Sequence, residues 1–300
     1  MGVVCPPAMR PVLQQLIERL RLERIEHNLF RGQSQDLGWG AIFGGQVLGQ
    51  ALSAATQTVP DDRAVHSMHG YFLRQGDASR PVVYDVDCIR DGKSFTTRRV
   101  VAIQNGQAIF NLAASFQREE QGYDHQATMP SAPGPDGLAS SLELATQRAE
   151  RIPPVLRRMA LAERPIEIRP VEPHDLLRPE PRRPQRSVWF RAADPLPDEL
   201  SLHRCLLAYA SDFEFLGTAM QPHAISWLMP DMQVASLDHA MWFHRPFRMD
   251  DWLLYAIDSP SASGARGLVR GQLFTRDGTL VASTAQEGLI RHRGAFARPG

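Results

Sequence analysis

Hydrophobic and polar residues alternate along residues 82–88 with the two-residue period of a β-strand buried on one face. Val82, Tyr84, Val86 and Cys88 form the apolar set, and two aspartates stand between them. Successive strand side chains point to opposite faces of a sheet, so this spacing predicts one face in a core and one in solvent. The segments VVAI and AIFNLAASF follow with the same character. The stretch therefore predicts at least three antiparallel strands.

The same pattern recurs in the second half of the chain. One copy runs over Pro81–Gln117 and the other over Trp252–Gly288. Their alignment pairs Tyr84 with Tyr255, Asp87 with Asp258, Arg98 with Arg270 after a slip of one residue, and Asn105-Gly106 with Asp277-Gly278. A repeat of this length indicates two copies of one structural unit.

Each copy carries a turn dipeptide between two strand-like segments. Asn105-Gly106 and Asp277-Gly278 tolerate the positive φ angles of a type I′ turn, which matches the twist of a two-residue hairpin. Both dipeptides therefore predict hairpins at corresponding places in the two copies.

A helix is predicted ahead of the strands in each copy. Apolar residues recur at helical spacing in GGQVLGQALSAATQTV and DELSLHRCLLAYA, namely Val47, Leu48, Ala51, Leu52 and Ala55, then Leu202, Cys205, Leu206 and Tyr209. Asp198 or Ser201 is expected to cap the second helix. Short strands are expected before the helices, at residues 22–32, 166–172 and 186–192.

This order of elements predicts an α+β fold in which a long helix lies on an antiparallel sheet, twice over. A proline-rich stretch with one helical segment, residues 138–152, separates the copies. Proline interrupts regular structure and favours extended chain. We expect an N-terminal unit over residues 1–120, a linker over 121–160 and a C-terminal unit over 161–300.

Composition excludes several classes of function. The 33 basic residues balance the 33 acidic ones, so no basic field is expected to attract nucleic acid or a membrane surface. No apolar stretch approaches the roughly 20 residues of a membrane-spanning helix, and the N-terminal segment has no recognisable signal peptide. Cys5, Cys88 and Cys205 are widely separated, as expected for reduced thiols in a cytoplasmic protein.

Several longer strings resemble the acyl-CoA thioesterase II family. They are LFRGQSQDLGWGAIFGGQVLGQAL, HSMHGYFLRQGD, LLAYASDFEFL, SLDHAMWFHRPF and STAQEG, and together they extend from about Leu22 to Arg291. The resemblance implies a double hotdog fold and hydrolysis of fatty acyl-CoA to fatty acid and CoA by an activated water. It also implies that no metal, organic cofactor or covalent intermediate is needed, and that the protein is a homo-oligomer, a dimer or tetramer.

The same resemblance implies three catalytic residues in the second copy. They are Asp212 in YASD, Gln286 in STAQEG and Ser236 in VASLDHAMW, where the family has threonine. Serine keeps the hydroxyl group but lacks the methyl that restricts its rotamer. A carboxylate, a hydroxyl and an amide can together hold one water beside a thioester carbon. Gln286 aligns with Ala114 in the first copy, so one active site per chain is expected.

Other interpretations compete with this hypothesis. Taken alone, each of the three residues has an ordinary structural explanation. The dipeptide Asp238-His239 suggests the acid–base pair of a hotdog hydratase or dehydratase, and a catalytically silent acyl-CoA-binding protein is a third possibility. Arg266 and Arg270 are candidates for CoA phosphate binding, with solvated strand charges as the alternative. The histidines at positions 66, 69, 239 and 244 lack companion ligands at metal-binding spacing, so no metal site is predicted.

Overall fold

Thirteen β-strands pair into one antiparallel sheet in the computed structural model, which describes residues 9–38 and 40–293. The first half supplies β1 (Glu23–Glu26), β2 (Leu29–Gly32), β3 (Arg63–Phe72), β4 (Val82–Asp91), β5 (Phe95–Gln104) and β6 (Gln107–Arg118). The second half supplies β7 (Ile166–Pro170), β8 (Gln185–Ala192), β9 (Met232–Ser236), β10 (Asp238–Phe243), β11 (Leu253–Ser263), β12 (Arg266–Thr275) and β13 (Leu280–His292).

The helices of the described residues are two long central ones and several shorter ones. They are α1 (Pro11–Leu20), α2 (Gly44–Thr56), α3 (Ser141–Gln147), α4 (Pro154–Ala160), α5 (Leu200–Ala210) and α6 (Gly217–Met220), with single 3₁₀ turns at Ala149–Arg151 and Gln221–His223. In the described part of the chain, no helix is both long and apolar enough to cross a membrane.

The two halves meet edge to edge in the middle of the sheet. Its strand order is β1-β2-β4-β5-β6-β3-β10-β13-β12-β11-β8-β7, and β9 pairs with β13 beside this path. The junction is the antiparallel pair of β3 and β10, in which Ala240 lies opposite His69. Each half is thus a helix on an antiparallel sheet, which confirms the predicted α+β double hotdog fold.

The central helices α2 and α5 pack against each other because glycines let their backbones approach closely. A Cβ atom at Gly45 would collide with the carbonyl oxygen of Tyr209, and one at Gly49 would lie 3.0 Å from the carbonyl oxygen of Cys205. The apolar faces of both helices belong to one continuous core with the strands. The beginning of α2 is thereby held against the end of α5.

Strand register confirms the repeat and corrects it at one position. Tyr84 and Tyr255 are buried at matching places on β4 and β11. Asp87 lies opposite Arg99, as Asp258 lies opposite Arg270. The counterpart of Arg270 is therefore Arg99, and the predicted match with Arg98 is wrong by one residue. The offset of one residue arises in the loop after β12, which is longer than the turn after β5. It does not arise between Tyr255 and Arg270.

The two turns also differ from each other. Asn105 and Gly106 both have positive φ, at 50° and 72°, as the predicted type I′ turn requires. At the second turn Gly278 has a φ of 91°, whereas the φ of Asp277 is not positive. The backbone N–H of Gly278 donates to the carbonyl of Thr275, so this loop is longer and the type I′ prediction is wrong there.

Local signals at the helix ends were partly misleading. The N-cap of α5 is Glu199, and no side chain caps it, so the prediction of Asp198 or Ser201 is wrong. The hydroxyl of Ser201 donates to the Glu199 carboxylate, and Asp198 accepts from Arg248. Between the halves, α3 begins with a capping box formed by Ser140 and Glu143. The helix α4, which follows the predicted helical segment, was not predicted, because the prolines of this stretch indicated extended chain.

Candidate active site

The carboxyl group of Asp212 lies where the end of α5 meets the beginning of α2. Ser211 caps α5, and Asp212 follows it directly. The aromatic rings of Phe43 and Phe213 stack with centroids 4.4 Å apart, which holds the two chain segments together. A Cβ atom at Gly44 would lie only 2.6 Å from an Asp212 oxygen. Glycine at this position therefore lets the carboxylate reach the helix N-terminus, which explains the FGGQ segment.

Ser236 and Gln286 come from neighbouring strands of the second half. Ser236 ends β9 and lies opposite Gly288 of β13, two residues beyond Gln286. The Nε2 atom of Gln286 donates a hydrogen bond of 2.9 Å to the Ser236 hydroxyl oxygen. Both side chains also interact with the Asp212 carboxylate, as does the backbone N–H of Gly45. The three residues predicted from the sequence are thus brought together.

Desolvation raises the pKa of Asp212 to about 7, whereas Gln286, the Gly45 N–H and Ser236 act in the opposite direction. The Gly45 N–H is one of the unpaired donors in the first turn of α2, where the helix dipole favours negative charge. Asp212 as a whole is half-buried and lines the cavity. Such a carboxyl group can exchange a proton near neutral pH.

His239 lies behind Gln286, on β10, and is completely buried. Its Nδ1 atom is 2.5 Å from the Gln286 Oε1 atom, and its Nε2 atom is 3.0 Å from the Ser211 hydroxyl oxygen. Burial lowers the pKa of His239 to about 4, although the contact with Gln286 raises it. The imidazole is therefore neutral at ordinary pH.

The proton position on His239 follows from its neighbours. The Gln286 amide directs its Nε2 donor at Ser236, so its Oε1 atom must be the acceptor that faces His239 Nδ1. In a neutral imidazole the proton then resides on Nδ1, and the unprotonated Nε2 faces the Ser211 hydroxyl at 3.0 Å, whose single proton can go either to Nε2 or to the Ala208 carbonyl, also at 3.0 Å. This chain of hydrogen bonds fixes the orientation of the amide with its N–H groups toward Ser236 and Asp212.

Asp212, Ser236 and Gln286 all line one cavity of about 1460 Å³. The walls include Phe43 from the first half and much of the segment between the halves. The walls also include several apolar side chains, namely Leu156, Met159, Leu161, Phe215, Leu216 and Ile225. A long apolar chain and a polar carrier group could both be accommodated next to the three polar residues.

Other predicted candidates lie elsewhere. Arg266 and Arg270 are on β12, outside the lining of this cavity, and they form ion pairs with Glu287 at 2.8 Å and Asp258 at 2.6 Å. Asp238 accepts a hydrogen bond of 2.6 Å from the Glu287 backbone N–H. Neighbouring strand residues point to opposite faces, so Asp238 and His239 do not form an acid–base pair.

The remaining histidines have structural partners. His66 and His244 form hydrogen bonds of 2.8 and 2.9 Å with the hydroxyl groups of Ser115 and Ser283. The ring of His69 packs edge-on against Trp242. Within residues 9–38 and 40–293, no group of three or more potential metal ligands is assembled. Of the three cysteines, Cys88 is exposed and Cys205 is buried, both as free thiols, and Cys5 lies outside the described residues.

Two features of the site were not predicted from the sequence. The orienting contact of His239 depends on its position on β10 next to Gln286, and the sequence signal, the Asp-His dipeptide, pointed to a different chemistry. The Gly45 N–H was signalled only by the glycine pair of the FGGQ segment. Both features depend on contacts between elements that are distant in the chain.

Both halves match family models. The model described as acyl-CoA thioesterase matches residues 155–289, and the model of the acyl-CoA thioesterase N-terminal domain matches residues 34–117. Acyl-CoA thioesterase 2 of Haemophilus influenzae is 44% identical over 94% of this chain and 99% of its own length. Human acyl-coenzyme A thioesterase 8 is 43% identical over 95% of this chain and 91% of its own.

Solved structures agree with these sequence matches. The crystal structure of an acyl-CoA thioesterase II from Mycobacterium marinum is 46% identical, with a TM-score of 0.77, and the match covers 94% of this chain and all of the other. A second mycobacterial protein, from Mycobacterium avium subspecies paratuberculosis, is 30% identical, with a TM-score of 0.76 over 93% of this chain and 99% of its own.

Proposed function

The chain belongs to the acyl-CoA thioesterase family, and from this premise we propose how its site hydrolyses fatty acyl-CoA to fatty acid and CoA. The observation that carries the proposal is the convergence of Asp212, Ser236 and Gln286 on one wall of a large cavity. Water is the nucleophile, and no covalent intermediate forms.

Asp212 acts as the general base. With a pKa near 7 it is ionised in much of the population at neutral pH, yet basic enough to take a proton from water. The water attacks the thioester carbon while its proton moves to the Asp212 carboxylate. The tetrahedral intermediate then collapses, the carbon–sulfur bond breaks, and the proton on Asp212 passes to the departing CoA sulfur.

Ser236 and Gln286 position the attacking water. The Ser236 hydroxyl can donate to or accept from that water, and the Gln286 amide anchors the hydroxyl. His239 is a positioning residue, because its Nδ1 atom, 2.5 Å from the Gln286 oxygen, pairs with the amide in the orientation that directs its N–H groups at Ser236 and Asp212. A flipped amide would present its oxygen to the Asp212 carboxylate, which is unfavourable.

The first half contributes the N-terminus of α2. The Gly45 N–H faces Asp212, and the N–H of Gly44, one residue earlier, is another first-turn donor. We assign stabilisation of the thioester oxyanion to Gly44 N–H, because helix N-terminal donors favour developing negative charge and need no reorganisation. The site therefore requires both halves of the chain.

We further propose the division into units 1–120, 121–160 and 161–300, cytoplasmic localisation and a homo-oligomeric state, a dimer or tetramer. The unpaired edge of β1, whose four residues are all exposed, supports association, because exposed strand edges commonly pair with another chain. Analytical ultracentrifugation of the purified protein tests the oligomer directly.

A paired assay tests the reaction. CoA thiol release from a panel of acyl-CoA chain lengths is measured beside the absorbance of an enoyl-CoA thioester. Thiol release with an unchanged enoyl signal is expected. A changing enoyl signal without thiol release would point to a hydratase or dehydratase, and binding without either signal would point to a silent acyl-CoA-binding protein.

A further inference from the structure

The phosphates of CoA need cationic partners that the catalytic residues do not supply. CoA carries a pyrophosphate and a 3′-phosphate at the end of its pantetheine arm, whereas Asp212, Ser236 and Gln286 provide one carboxylate and two neutral groups. Arg266 and Arg270 are already paired and lie outside the cavity lining. A phosphate site must therefore be sought elsewhere along the cavity.

Five of the arginines that line the cavity of the catalytic residues lie around His174 and Asp175. We call them the cavity arginine cluster, which consists of Arg148, Arg151, Arg178, Arg182 and Arg186. They surround His174 and Asp175: the charges of Arg151 and Arg148 act on Asp175, and those of Arg186 and Arg182 act on His174. The cluster is thus a local concentration of positive charge.

Only part of that charge is neutralised. Arg151 pairs with Asp175 at 2.9 Å, and Arg186 pairs with Glu214 at 2.5 Å. Among the described residues, the side chains of Arg148, Arg178 and Arg182 form no ion pair or hydrogen bond. Glu180 is the other carboxylate of residues 174–186 in the cavity lining, so the five arginines of the cluster stand against three carboxylates, Asp175, Glu180 and Glu214. The whole lining holds eight arginines and seven carboxylates, so the excess of positive charge is local to the cluster.

His174 adds no charge to the cluster. Burial and Arg186 lower its pKa to about 4, and its Nε2 atom accepts from Arg186 at 3.2 Å. The Nε atom of Arg186 is itself buried without a hydrogen-bond partner among the described residues. Arg186 is thus held by Glu214 and His174.

The cluster is also connected to the catalytic end of the cavity. Glu214, the partner of Arg186, stands two residues after Asp212. Glu214 has a φ of 63°, a conformation that L-residues rarely adopt unless their surroundings hold them there. The ion pair with Arg186 therefore ties strand β8 to the turn that carries the catalytic carboxylate.

We propose that the cavity arginine cluster binds the pyrophosphate and 3′-phosphate of CoA, with Arg148, Arg178 and Arg182 as the direct phosphate ligands. This inference rests on the proposed thioesterase function. Guanidinium groups bind phosphate oxygens through two parallel hydrogen bonds, and unpaired ones lose no existing ion pair when the phosphate arrives. The pantetheine arm then extends from the cluster toward Asp212, and the acyl chain occupies the apolar part of the cavity.

The test compares one thioester on three carriers: acyl-CoA, acyl-dephospho-CoA and acyl-N-acetylcysteamine, which has no phosphate. The variant is the triple change Arg148→Gln, Arg178→Gln and Arg182→Gln. We expect its KM for acyl-CoA to rise about tenfold or more with kcat preserved. Its kcat/KM for the N-acetylcysteamine thioester should stay within about twofold of wild type.

A charge-matched control replaces Arg31, Arg99 and Arg118 by Gln, since these exposed arginines lie on the sheet of the first half. Its KM for acyl-CoA should match wild type. The wild-type KM for acyl-CoA should also rise with salt, and that rise should be weaker in the cluster variant, because screening weakens phosphate contacts.

Three results would contradict phosphate binding by the arginine cluster. One is an unchanged KM for acyl-CoA in the triple variant, and another is an equal loss on the phosphate-free thioester. The third is a KM rise in an Arg266→Gln, Arg270→Gln variant instead. If the triple variant melts early, the single exposed change Arg178→Gln with the same substrates decides. Failure of wild type to release thiol from any carrier would instead refute the thioesterase function itself.

Discussion

The two halves of the sheet share one strand order but carry different side chains around the central helix. The second half places His239 and Gln286 on adjacent strands next to Asp212. By strand register, Met68 and Ala114 occupy the corresponding places in the first half. Both replacements are apolar and fully buried, so these two positions carry no polar group in the first half.

The helix ends differ in the same way. Counting from the helix caps, Thr58 stands where the second half has Asp212, and the register places Arg98 where it has Val269. The buried Arg98 guanidinium donates to the Thr58 hydroxyl at 2.9 Å, to its carbonyl at 3.0 Å and to Asp91 at 2.7 Å. In the first half, a structural arginine thus binds the helix end. The corresponding helix end of the second half carries a titrating carboxyl group.

This difference shows that a hotdog scaffold does not create a site by itself. The side chains at four positions distinguish a water-binding polar network from an apolar pair with a buried arginine. The first half still contributes to the reaction through the backbone of α2, which depends on its glycines more than on reactive side chains.

Replacing Asp212 should have the largest effect on activity, because it removes the carboxyl group that distinguishes the second half from the first. Asp212→Asn removes the base but is nearly isosteric, so kcat for acyl-CoA should fall by roughly 10²-fold or more while the fold persists. Thiol release and circular dichroism are measured together, with Asp91→Asn as the control in the first half. Turnover near wild type in Asp212→Asn would remove this residue from the mechanism.

Changes at His239 test whether the second half needs an oriented amide. His239→Met copies Met68 of the first half and should lower kcat by up to roughly 10²-fold, because the Gln286 amide can then flip. His239→Asn should retain most activity, since its amide nitrogen can occupy the place of Nδ1, whereas His239→Gln offers its nitrogen near Nε2.

If the role of His239 were purely structural, the His239→Asn and His239→Gln variants should have similar kcat values. The double variant with Gln286→Ala separates the two explanations further. If His239 acts through Gln286, adding His239→Met to Gln286→Ala should leave kcat unchanged. Full additivity of the two losses would contradict the orienting role.

The pH dependence should come from the second half, because Thr58 does not titrate. Asp212 must be ionised to accept a proton from water, so kcat should fall about tenfold per pH unit below its pKa of about 7 and level off above it. Asp212→Asn should lose this step. A rate in wild type that is constant between about pH 5 and pH 8 would exclude Asp212 as the titrating base.

The same shift predicts the sign of a stability change. The pKa of Asp212 is raised in the folded state above an unfolded value of about 3.9, so the folded state binds the extra proton between these values. Folding stability contributed by this group therefore falls as pH rises through that window. The gain in Tm of Asp212→Asn over wild type should be larger at about pH 8 than at about pH 5.

Much of this fold could be predicted from the sequence because its signals are local. Alternation around Tyr84 and the Asn105-Gly106 dipeptide specify hairpins through neighbouring residues alone. The join between β3 and β10 could not be predicted in this way, since it pairs strands far apart in the chain. Charge alone likewise did not distinguish the paired Arg270 from the unpaired Arg178, because partners depend on tertiary structure.

The site shows the same division. The residues Asp212, Ser236 and Gln286 stood out through family strings, but the direction of each hydrogen bond did not. The proton on His239 Nδ1 follows only when the contacts of Gln286 with His239 and with Ser236 are known. The sequence thus indicated which side chains carry the chemistry, and the packing indicated how they are oriented.

Ser236 should show a smaller effect than Asp212 or His239. Ser236→Ala deletes a water ligand and the acceptor of Gln286 Nε2, so kcat should fall roughly tenfold, within the range for a lost hydrogen bond. Ser236→Thr keeps the hydroxyl with a stiffer rotamer and should preserve or modestly raise kcat. Steady-state kinetics with one acyl-CoA substrate measure both effects. Equal kcat values for both variants and wild type would mean that the hydroxyl has no role in catalysis.

The smallest effect on activity is expected from Ala114→Gln, which places the missing amide in the first half. The new side chain would face Met68, which cannot orient it, and the nearby helix end carries Thr58 bound to Arg98 in place of a carboxylate. In an Asp212→Asn background, Ala114→Gln should therefore restore no thiol release. Ala114 is almost completely buried, so the unpaired amide should also cost about 1–3 kcal/mol of stability, measured by chemical denaturation. Recovery of hydrolysis in this double variant would mean that the scaffold alone suffices and that the contrast between the halves is superficial.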